Sequence, residues 1–248
     1  MRLRVYACAV FAHEISALAP DCPNQLNITY LRQRYHDEPV RLREALQAEI
    51  TRLDSSGEPY DAVALCYGLC GHGTAGIISQ RYPVVHPISH DCIALFLGDA
   101  ARYRAYFDAH PGTYWYTPGW MECTVPPGPD YLPHWREKYF QEYGPEAGAH
   151  LLASTTQWLS QYHRAAYIQW PDAKIPDRSA QAAGCAAHLG WEIDILKGSD
   201  GFLKKLLWGD WSDASRFLIV PAGKTARATG DDRVLVCAEP PDGMSGHE

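Results

Sequence analysis

The chain of 248 residues is long enough for one large domain or two small ones. Hydrophobic residues make up 46% and charged residues 21% of it, which is usual for a globular protein with a core. The net charge of −7, without a long basic run, argues against nucleic acid as a partner. No run approaches the roughly 20 apolar residues of a membrane span, which argues against a membrane protein.

The N-terminus shares two features with a signal peptide, because Arg2 and Arg4 precede an apolar run. His13 and Glu14 interrupt that run early, so we predict a first strand and a cytoplasmic protein. In a reducing compartment, the eight cysteines are expected to be thiols or metal ligands and not disulfides.

The first part of the chain alternates strands and helices. The predicted elements are a strand over residues 2–10, a loop to residue 38, a helix over 39–53, a strand over 62–66, a short helix near 74–81, a strand over 84–88 and a helix over 91–109. This β-α-β-α-β-α series is typical of a doubly wound sheet.

The alternation resumes after an aromatic segment and a helical region. The predicted elements are a strand and turn over residues 112–123, helices over about 131–163, strands over 165–170, 191–196, 216–221 and 233–238, helices over 176–188 and 200–207, and a flexible tail over 239–248. We therefore predict a single α/β domain over residues 1–248, three-layered and Rossmann-like, with a mostly parallel sheet. Its two α/β halves, about 1–125 and 160–240, are bridged by helices.

Three of the predicted strands end in cysteine or lead to one. Cys8 ends the first strand, Cys66 and Cys70 lie at the end of the second, and His90 and Cys92 follow the third. Ligands of open parallel sheets bind beyond the carboxyl ends of the strands, so thiols distant in sequence can converge there. Thiolate and imidazole are ligands of zinc and other borderline-soft metals.

Four residues are the predicted metal ligands: Cys8, Cys70, His90 and Cys92. Cys70 is preferred to Cys66, because Cys66 ends a strand and can point into packing. His90 and Cys92 are two residues apart, so both can reach one ion from an extended loop. Asp91 between them is expected to cap the following helix, although it could also orient an imidazole.

The loop after the second strand also permits a nucleotide-binding interpretation. Residues 71–76, GHGTAG, match the G-x-G-x-x-G pattern between a strand and a predicted helix, which makes Gly71 and Gly73 candidate cofactor-binding residues. However, four residues separate Gly71 from the strand, whereas the first glycine of that fingerprint usually lies directly against it. The loop could also be a sharp turn that presents Cys70.

Two carboxylates and two tryptophans complete the candidate site. Glu14 and Glu122 are candidate acid/base groups, and Trp115 and Trp120 are candidates for a pocket wall that holds a substrate or cofactor. Glu14 could instead be a solvated carboxylate at a helix start, and the aromatic residues could fill the core.

The set of motifs resembles a known family. Cys8 with Glu14, YGLCGHGTAG, HDCIALFLG and PGTYWYTPGW with Glu122 resemble a bacterial and archaeal family catalogued as a domain of unknown function. The resemblance covers most of the chain. Members of that family are often encoded near corrinoid-dependent methyltransferases that act on methylated amines. The resemblance therefore implies one-carbon or methylamine metabolism and supports the four predicted metal ligands.

The ligand pattern is also similar to that of another enzyme group. Zinc enzymes that methylate thiols often bind their metal with His-x-Cys and a distant Cys, and His90-Asp91-Cys92 resembles that arrangement. Zinc with three protein ligands keeps a fourth position for substrate. There the metal lowers the pKa of a bound thiol and makes it a nucleophile.

Three functional hypotheses follow. The first is an enzyme of one-carbon or methylamine metabolism that depends on zinc or another thiolate-bound transition metal and transfers a methyl group or a thiol. The second is a non-catalytic carrier or chaperone that delivers a metal or a corrinoid to a partner methyltransferase. The third is a nucleotide-binding enzyme that uses the glycine loop. The expected partners are a small-molecule substrate and, for the first two hypotheses, a corrinoid protein or a methyltransferase.

Overall fold

A computed structural model of the protein describes residues 1–231 and 233–240. The chain divides into two compact units. The first contains residues 1–103 and the chain from residue 199 onward, and the second contains residues 104–198. The sequence-predicted halves divide the chain at other places. Within the described residues, no helix is long and apolar enough to cross a membrane.

Strands and helices alternate along the whole chain. Up to residue 109 the elements are β1 (Arg2–Cys8), α1 (Ala12–Leu18), β2 (Gln25–Leu31), α2 (Pro39–Ser56), β3 (Ala62–Cys66), β4 (Val84–Pro87), α3 (Ile93–Leu97) and α4 (Ala100–Ala109). They continue with β5 (Thr113–Tyr116), α5 (Pro118–Cys123), α6 (Tyr131–Thr156), β6 (Arg164–Gln169), α7 (Ser179–Leu189), β7 (Glu192–Lys197), α8 (Gly201–Trp208), β8 (Phe217–Val220), β9 (Thr225–Ala228) and β10 (Leu235–Ala238).

The first unit is built on a five-stranded sheet with the order β2-β1-β3-β4-β8. The pairs β1–β2, β1–β3 and β3–β4 are parallel, and β8 is antiparallel to β4. The chain leaves β1 toward β2 on one side and then places β3 on the other side of β1. The carboxyl ends of β1 and β3 therefore form a topological switch point, where open α/β sheets bind their ligands.

The burial patterns of β3 and α2 fit their positions in the first unit. All five residues of β3 are buried, as expected for a strand that is covered on both faces. The buried residues of α2 are Leu42, Leu46, Ile50 and Leu53, which form one face of the helix. The hydroxyl of Tyr6 in β1 donates a hydrogen bond of 3.0 Å to the carbonyl oxygen of Glu49, which holds α2 against the sheet.

The second unit has a parallel sheet of its own, with the order β5-β6-β7. Its core contains Tyr116, Tyr167, Cys185 and Trp191. The long α6 is interrupted at Gly144, whose φ of 78° breaks the helical backbone before Pro145. The predicted α/β class, Rossmann-like with a mostly parallel sheet, is confirmed by these two sheets.

Several local predictions differ from the structure, among them the turn predicted before residue 123, which is the helix α5. The predicted loop over residues 11–38 contains α1 and β2, and β9 was not predicted at all. The helix predicted near residues 74–81 is a series of turns, in which Ile78 forms a β-bridge with Thr225. The helix predicted over residues 91–109 is divided into α3 and α4, because Gly98 has a φ of 78° and ends α3. Residues 241–248 of the predicted tail lie outside the described residues.

Candidate functional site

Four cysteines lie at the carboxyl edge of the first sheet, and we call them the thiol cluster: Cys8, Cys66, Cys70 and Cys92. Cys8 and Cys66 end the adjacent strands β1 and β3, whose register pairs Ala7 with Cys66. Cys70 lies in the loop after β3, and Cys92 lies in the loop after β4. The Sγ atoms of Cys70 and Cys92 are 3.6 Å apart. Four thiol-bearing residues therefore lie at or beside the topological switch point, and the sulfurs of Cys70 and Cys92 are in contact.

Backbone contacts hold the two cysteine loops together. The amide of Leu69 donates to the carbonyl oxygen of Ser89 at 2.7 Å, and the amide of Cys70 donates to that of His90 at 2.9 Å. A Cβ atom at Gly68 would lie 2.4 Å from the carbonyl carbon and oxygen of Asp91, so only glycine permits this approach. Cys70 itself has a φ of 45°, which is rare for a residue with a side chain.

Tyr67 follows β3 directly and places a phenol beside the thiol cluster. The residue is 4% exposed, and its hydroxyl has no hydrogen-bond partner among the described residues. Burial raises the pKa of this phenol well above its usual value, and all four thiols of the cluster raise it further by their charge. Tyr67 was not predicted as a site residue, because a single tyrosine belongs to no motif with a recognisable spacing. The one signal in the sequence that could have indicated it is its position next to Cys66.

Two thiols of the cluster, Cys66 and Cys92, have raised pKa values. The pKa of Cys92 is raised well above its usual value. The largest cause is the contact with the Cys70 sulfur, and the second is the burial of the Cys92 sulfur away from water. A hydrogen bond from the backbone N–H of Gly68 acts in the opposite direction. Burial raises the pKa of Cys66, and the nearby Cys92 raises it further. Thiols in this state are protonated and weakly nucleophilic, whereas a bound cation would favour their thiolates.

Glu14 lies at the same edge. It is fully buried, with 0% exposure, in the first turn of α1. Burial raises the pKa of the Tyr30 phenol on β2, and the charges of Cys66 and Glu14 raise it further. Glu14 and Cys66 thus act on the same phenol, and the role of Glu14 as an acid/base group stays a prediction.

His90 and Asp91, which lie between β4 and Cys92, have different surroundings. His90 is exposed, so its side chain does not join the buried thiols. Asp91 accepts hydrogen bonds from the Tyr103 hydroxyl and, at 2.8 Å, from the amide of Ile93 at the start of α3. Burial raises the pKa of Asp91, and the hydrogen bond from Tyr103 partly offsets that effect. The N-cap residue of α3 is Cys92 and not Asp91, but the Asp91 carboxylate still accepts from the first amide of the helix.

The spacing of the Cys70–Cys92 pair fits two ligands of one ion. Zn–S bonds of about 2.3 Å at a tetrahedral angle place two sulfurs about 3.8 Å apart, and these sulfurs are 3.6 Å apart. Within residues 1–231 and 233–240, no group of three or more His, Cys, Asp or Glu side chains is arranged to hold a metal ion. A third ligand would therefore have to turn toward the pair.

The glycine loop lacks the helix that the G-x-G-x-x-G fingerprint places directly after it. Residues 67–83 are all described, and no helix forms among them, so no helix N-terminus faces the loop. A Cβ atom at Gly71 would lie 2.9 Å from Cγ of Pro39, and one at Gly73 would lie 2.7 Å from Cδ2 of Leu42. Both glycines therefore have a packing role against α2.

The other predicted site residues belong to the second unit. Glu122 accepts a hydrogen bond of 2.5 Å from the guanidinium of Arg178. Nε1 of Trp120 donates to the Tyr114 hydroxyl at 2.9 Å. The ring of Trp115 packs edge-on against Tyr106, with a centroid distance of 5.2 Å. Their roles as acid/base group and pocket wall stay predictions.

A family model matches most of the chain. Residues 30–207 match the model of a family described as "Protein of unknown function (DUF1638)". This span includes Cys66, Cys70, His90 and Cys92, whereas Cys8 and Glu14 precede it. The comparisons with curated proteins and with solved structures found no match.

Proposed function

The chain belongs to DUF1638, a family of proteins of unknown function, and we propose that it is a metal-dependent enzyme of one-carbon or methylamine metabolism. In this proposal, thiolates at the carboxyl edge of the first sheet hold zinc or a similar transition metal. The observation that carries the proposal is the 3.6 Å separation of the Cys70 and Cys92 sulfurs, at the switch point of the sheet. The one-carbon setting rests on the family resemblance alone.

The surroundings of the pair support a cation. The strongest influences on the pKa of Cys66, Tyr67 and Cys92 are burial and neighbouring thiols, and no lysine or arginine is among the influences described for them. Each of these groups becomes anionic when it loses its proton. A divalent ion would offset that charge, and its binding would release the thiol protons.

Cys8 is the best candidate for the third ligand. It is buried, ends the strand next to β3, and acts on the same phenol as Cys70 and Cys92. His90 would have to turn inward from an exposed position. Three protein ligands would leave one position for substrate. A thiol bound there would ionise near neutral pH and could accept a methyl group, and Glu14 is the candidate for moving its proton.

Metal analysis tests this proposal directly. The protein purified from zinc-supplemented medium should contain metal, measured by mass spectrometry. Cys70→Ser and Cys92→Ser should each lose most of it, because each variant leaves one sulfur of the pair. Cys185→Ser is the matched control, because Cys185 is a buried thiol in the second unit. A wild-type protein without affinity for zinc, cobalt or iron would contradict the proposal, and so would an equal metal loss in the control.

A carrier function is the second candidate, and one observation favours it. Among the described residues, only two sulfurs are observed at ligand spacing, and a site with few ligands releases its ion readily. Turnover separates the two candidates. An enzyme should catalyse methyl transfer from methylcobalamin to a small thiol, in which the thiolate takes the methyl group, a thioether forms and cob(I)alamin leaves. A carrier should show no turnover and should transfer its zinc to a weak chelator within minutes.

A further inference from the structure

Two tyrosines of the first unit are buried in different ways. Tyr6 is 1% exposed, and its hydroxyl donates to the carbonyl oxygen of Glu49 at 3.0 Å. Tyr67 is 4% exposed, and its hydroxyl has no hydrogen-bond partner within the described part of the chain. Buried hydroxyls are nearly always paired in folded proteins, because water no longer satisfies them. The hydroxyl of Tyr67 therefore requires an explanation that Tyr6 does not.

The position of Tyr67 indicates what could satisfy its hydroxyl. It follows β3 at the switch point, and the charges of all four cluster thiols act on it. Burial and those thiols raise the pKa of the phenol, so it keeps its proton and acts as a hydrogen-bond donor. A molecule that enters the cluster could supply the acceptor that the described residues do not.

We propose that Tyr67 positions the substrate of the thiol cluster, by donating a hydrogen bond to a small anionic ligand, of which a thiolate is the best example. The inference rests on the proposed function, because that ligand would occupy the open position of the metal. A metal-bound thiolate keeps lone pairs that accept a hydrogen bond. A metal-bound amine or imidazole has no free lone pair on its donor atom, so Tyr67 favours anions over neutral bases.

Cobalt-substituted protein provides the test, because the visible spectrum of bound cobalt(II) changes with its ligands. Wild type, Tyr67→Phe and the matched control Tyr6→Phe are loaded with cobalt and titrated with 2-mercaptoethanol, azide and imidazole. Tyr67→Phe should weaken binding of both anionic ligands about tenfold or more, the usual effect of losing one hydrogen bond to a charged group. Its affinity for imidazole should not change. Tyr6→Phe should leave all three affinities unchanged.

Thermal unfolding of the metal-free variants gives an independent readout. Tyr6→Phe should lower the Tm, because it removes the hydrogen bond between β1 and the Glu49 carbonyl of α2. Tyr67→Phe should leave the Tm unchanged or raise it, because it removes an unpaired buried hydroxyl. A merely structural role for Tyr67 would predict a lower Tm and no selectivity between anions and imidazole.

The outcomes separate this inference from the proposed function. If wild type binds cobalt and Tyr67→Phe binds the anions as tightly as wild type, the inference fails and the proposed function stands. An equal loss for anions and imidazole also overturns it, because Tyr67 would then act on the whole site. If wild type binds no cobalt, the proposed function fails and the inference fails with it.

Discussion

Replacing Gly68 with alanine should weaken metal binding without changing any thiol. The new Cβ would lie 2.4 Å from the carbonyl carbon and oxygen of Asp91, whereas ordinary contact begins at 3.4 Å. The loops that carry Cys70 and Cys92 must therefore separate by about 1 Å, the difference between these distances. No positive φ is involved at Gly68, so the effect is a steric one.

The size of the effect follows from the sulfur spacing. A displacement of about 1 Å along the line between the sulfurs would increase the separation from 3.6 Å to about 4.6 Å. Zinc requires about 3.8 Å. Disturbing the groups that orient metal ligands usually reduces metal affinity by about 10- to 100-fold. Overpacking the loop should also lower the free energy of unfolding of the metal-free protein by about 1–3 kcal/mol.

Competition between the protein and a coloured zinc chelator measures the affinity, and urea unfolding of the metal-free protein measures the stability. Gly230→Ala is the matched control, because no atom lies within 4 Å of its new Cβ. It should change neither quantity. A folded Gly68→Ala protein with the zinc affinity of wild type would refute the argument that this close approach sets the sulfur spacing.

Two further predictions concern stability. Burial lowers the pKa of His86 from 6.5 to about 4. Between these two pH values the unfolded chain takes up a proton at His86 and the folded protein does not. The free energy of unfolding therefore falls as the pH decreases from 6.5 toward 4. Wild type should lose about 2 kcal/mol more than His86→Leu between pH 7 and pH 5 in urea unfolding; equal losses would show that His86 does not titrate in this way. Gly184→Ala should raise the stability by about 1 kcal/mol, because Gly184 lies within α7 and nothing is within 4 Å of the new Cβ; an unchanged or lower Tm would contradict this.

The elements with a strong pattern could be predicted from the sequence. The apolar face of α2 and the fully buried β3 have the periods of a helix and of a covered strand. β2 was missed although QLNITYL alternates polar and apolar residues, because Pro20, Pro23 and Asn24 just before it indicated a loop. The turns near residues 74–81 were mistaken for a helix, because their bridge from Ile78 to Thr225 joins residues far apart in sequence.

The candidate site was predictable in outline. Cysteines after successive strands indicated a shared edge, and the structure places Cys8, Cys70 and Cys92 at it. The exposure of His90 was not predictable, because it depends on how the loop after β4 turns. Sequence also could not predict that the Tyr67 hydroxyl has no partner among the described residues, because that depends on its three-dimensional surroundings.

The competing explanation for these cysteines is that they are small hydrophobic core residues. Cys185 is an example of such a residue. It is buried in the second unit, and burial raises its pKa. The Cys70–Cys92 pair has features that simple packing does not require. Cys70 adopts a φ of 45°, which costs about 1–3 kcal/mol.

The close approach of the loops that carry Cys70 and Cys92 is a second feature that simple packing does not require. It requires a glycine at position 68, and the backbone N–H of that glycine is directed at the Cys92 sulfur, where it stabilises a thiolate. An alanine or valine would fill the same space as Cys92 without any of these arrangements. Strained backbone at Cys70 and a loop approach that only glycine permits, at the edge where such sheets bind ligands, are what the proposed metal site predicts and what simple packing does not require.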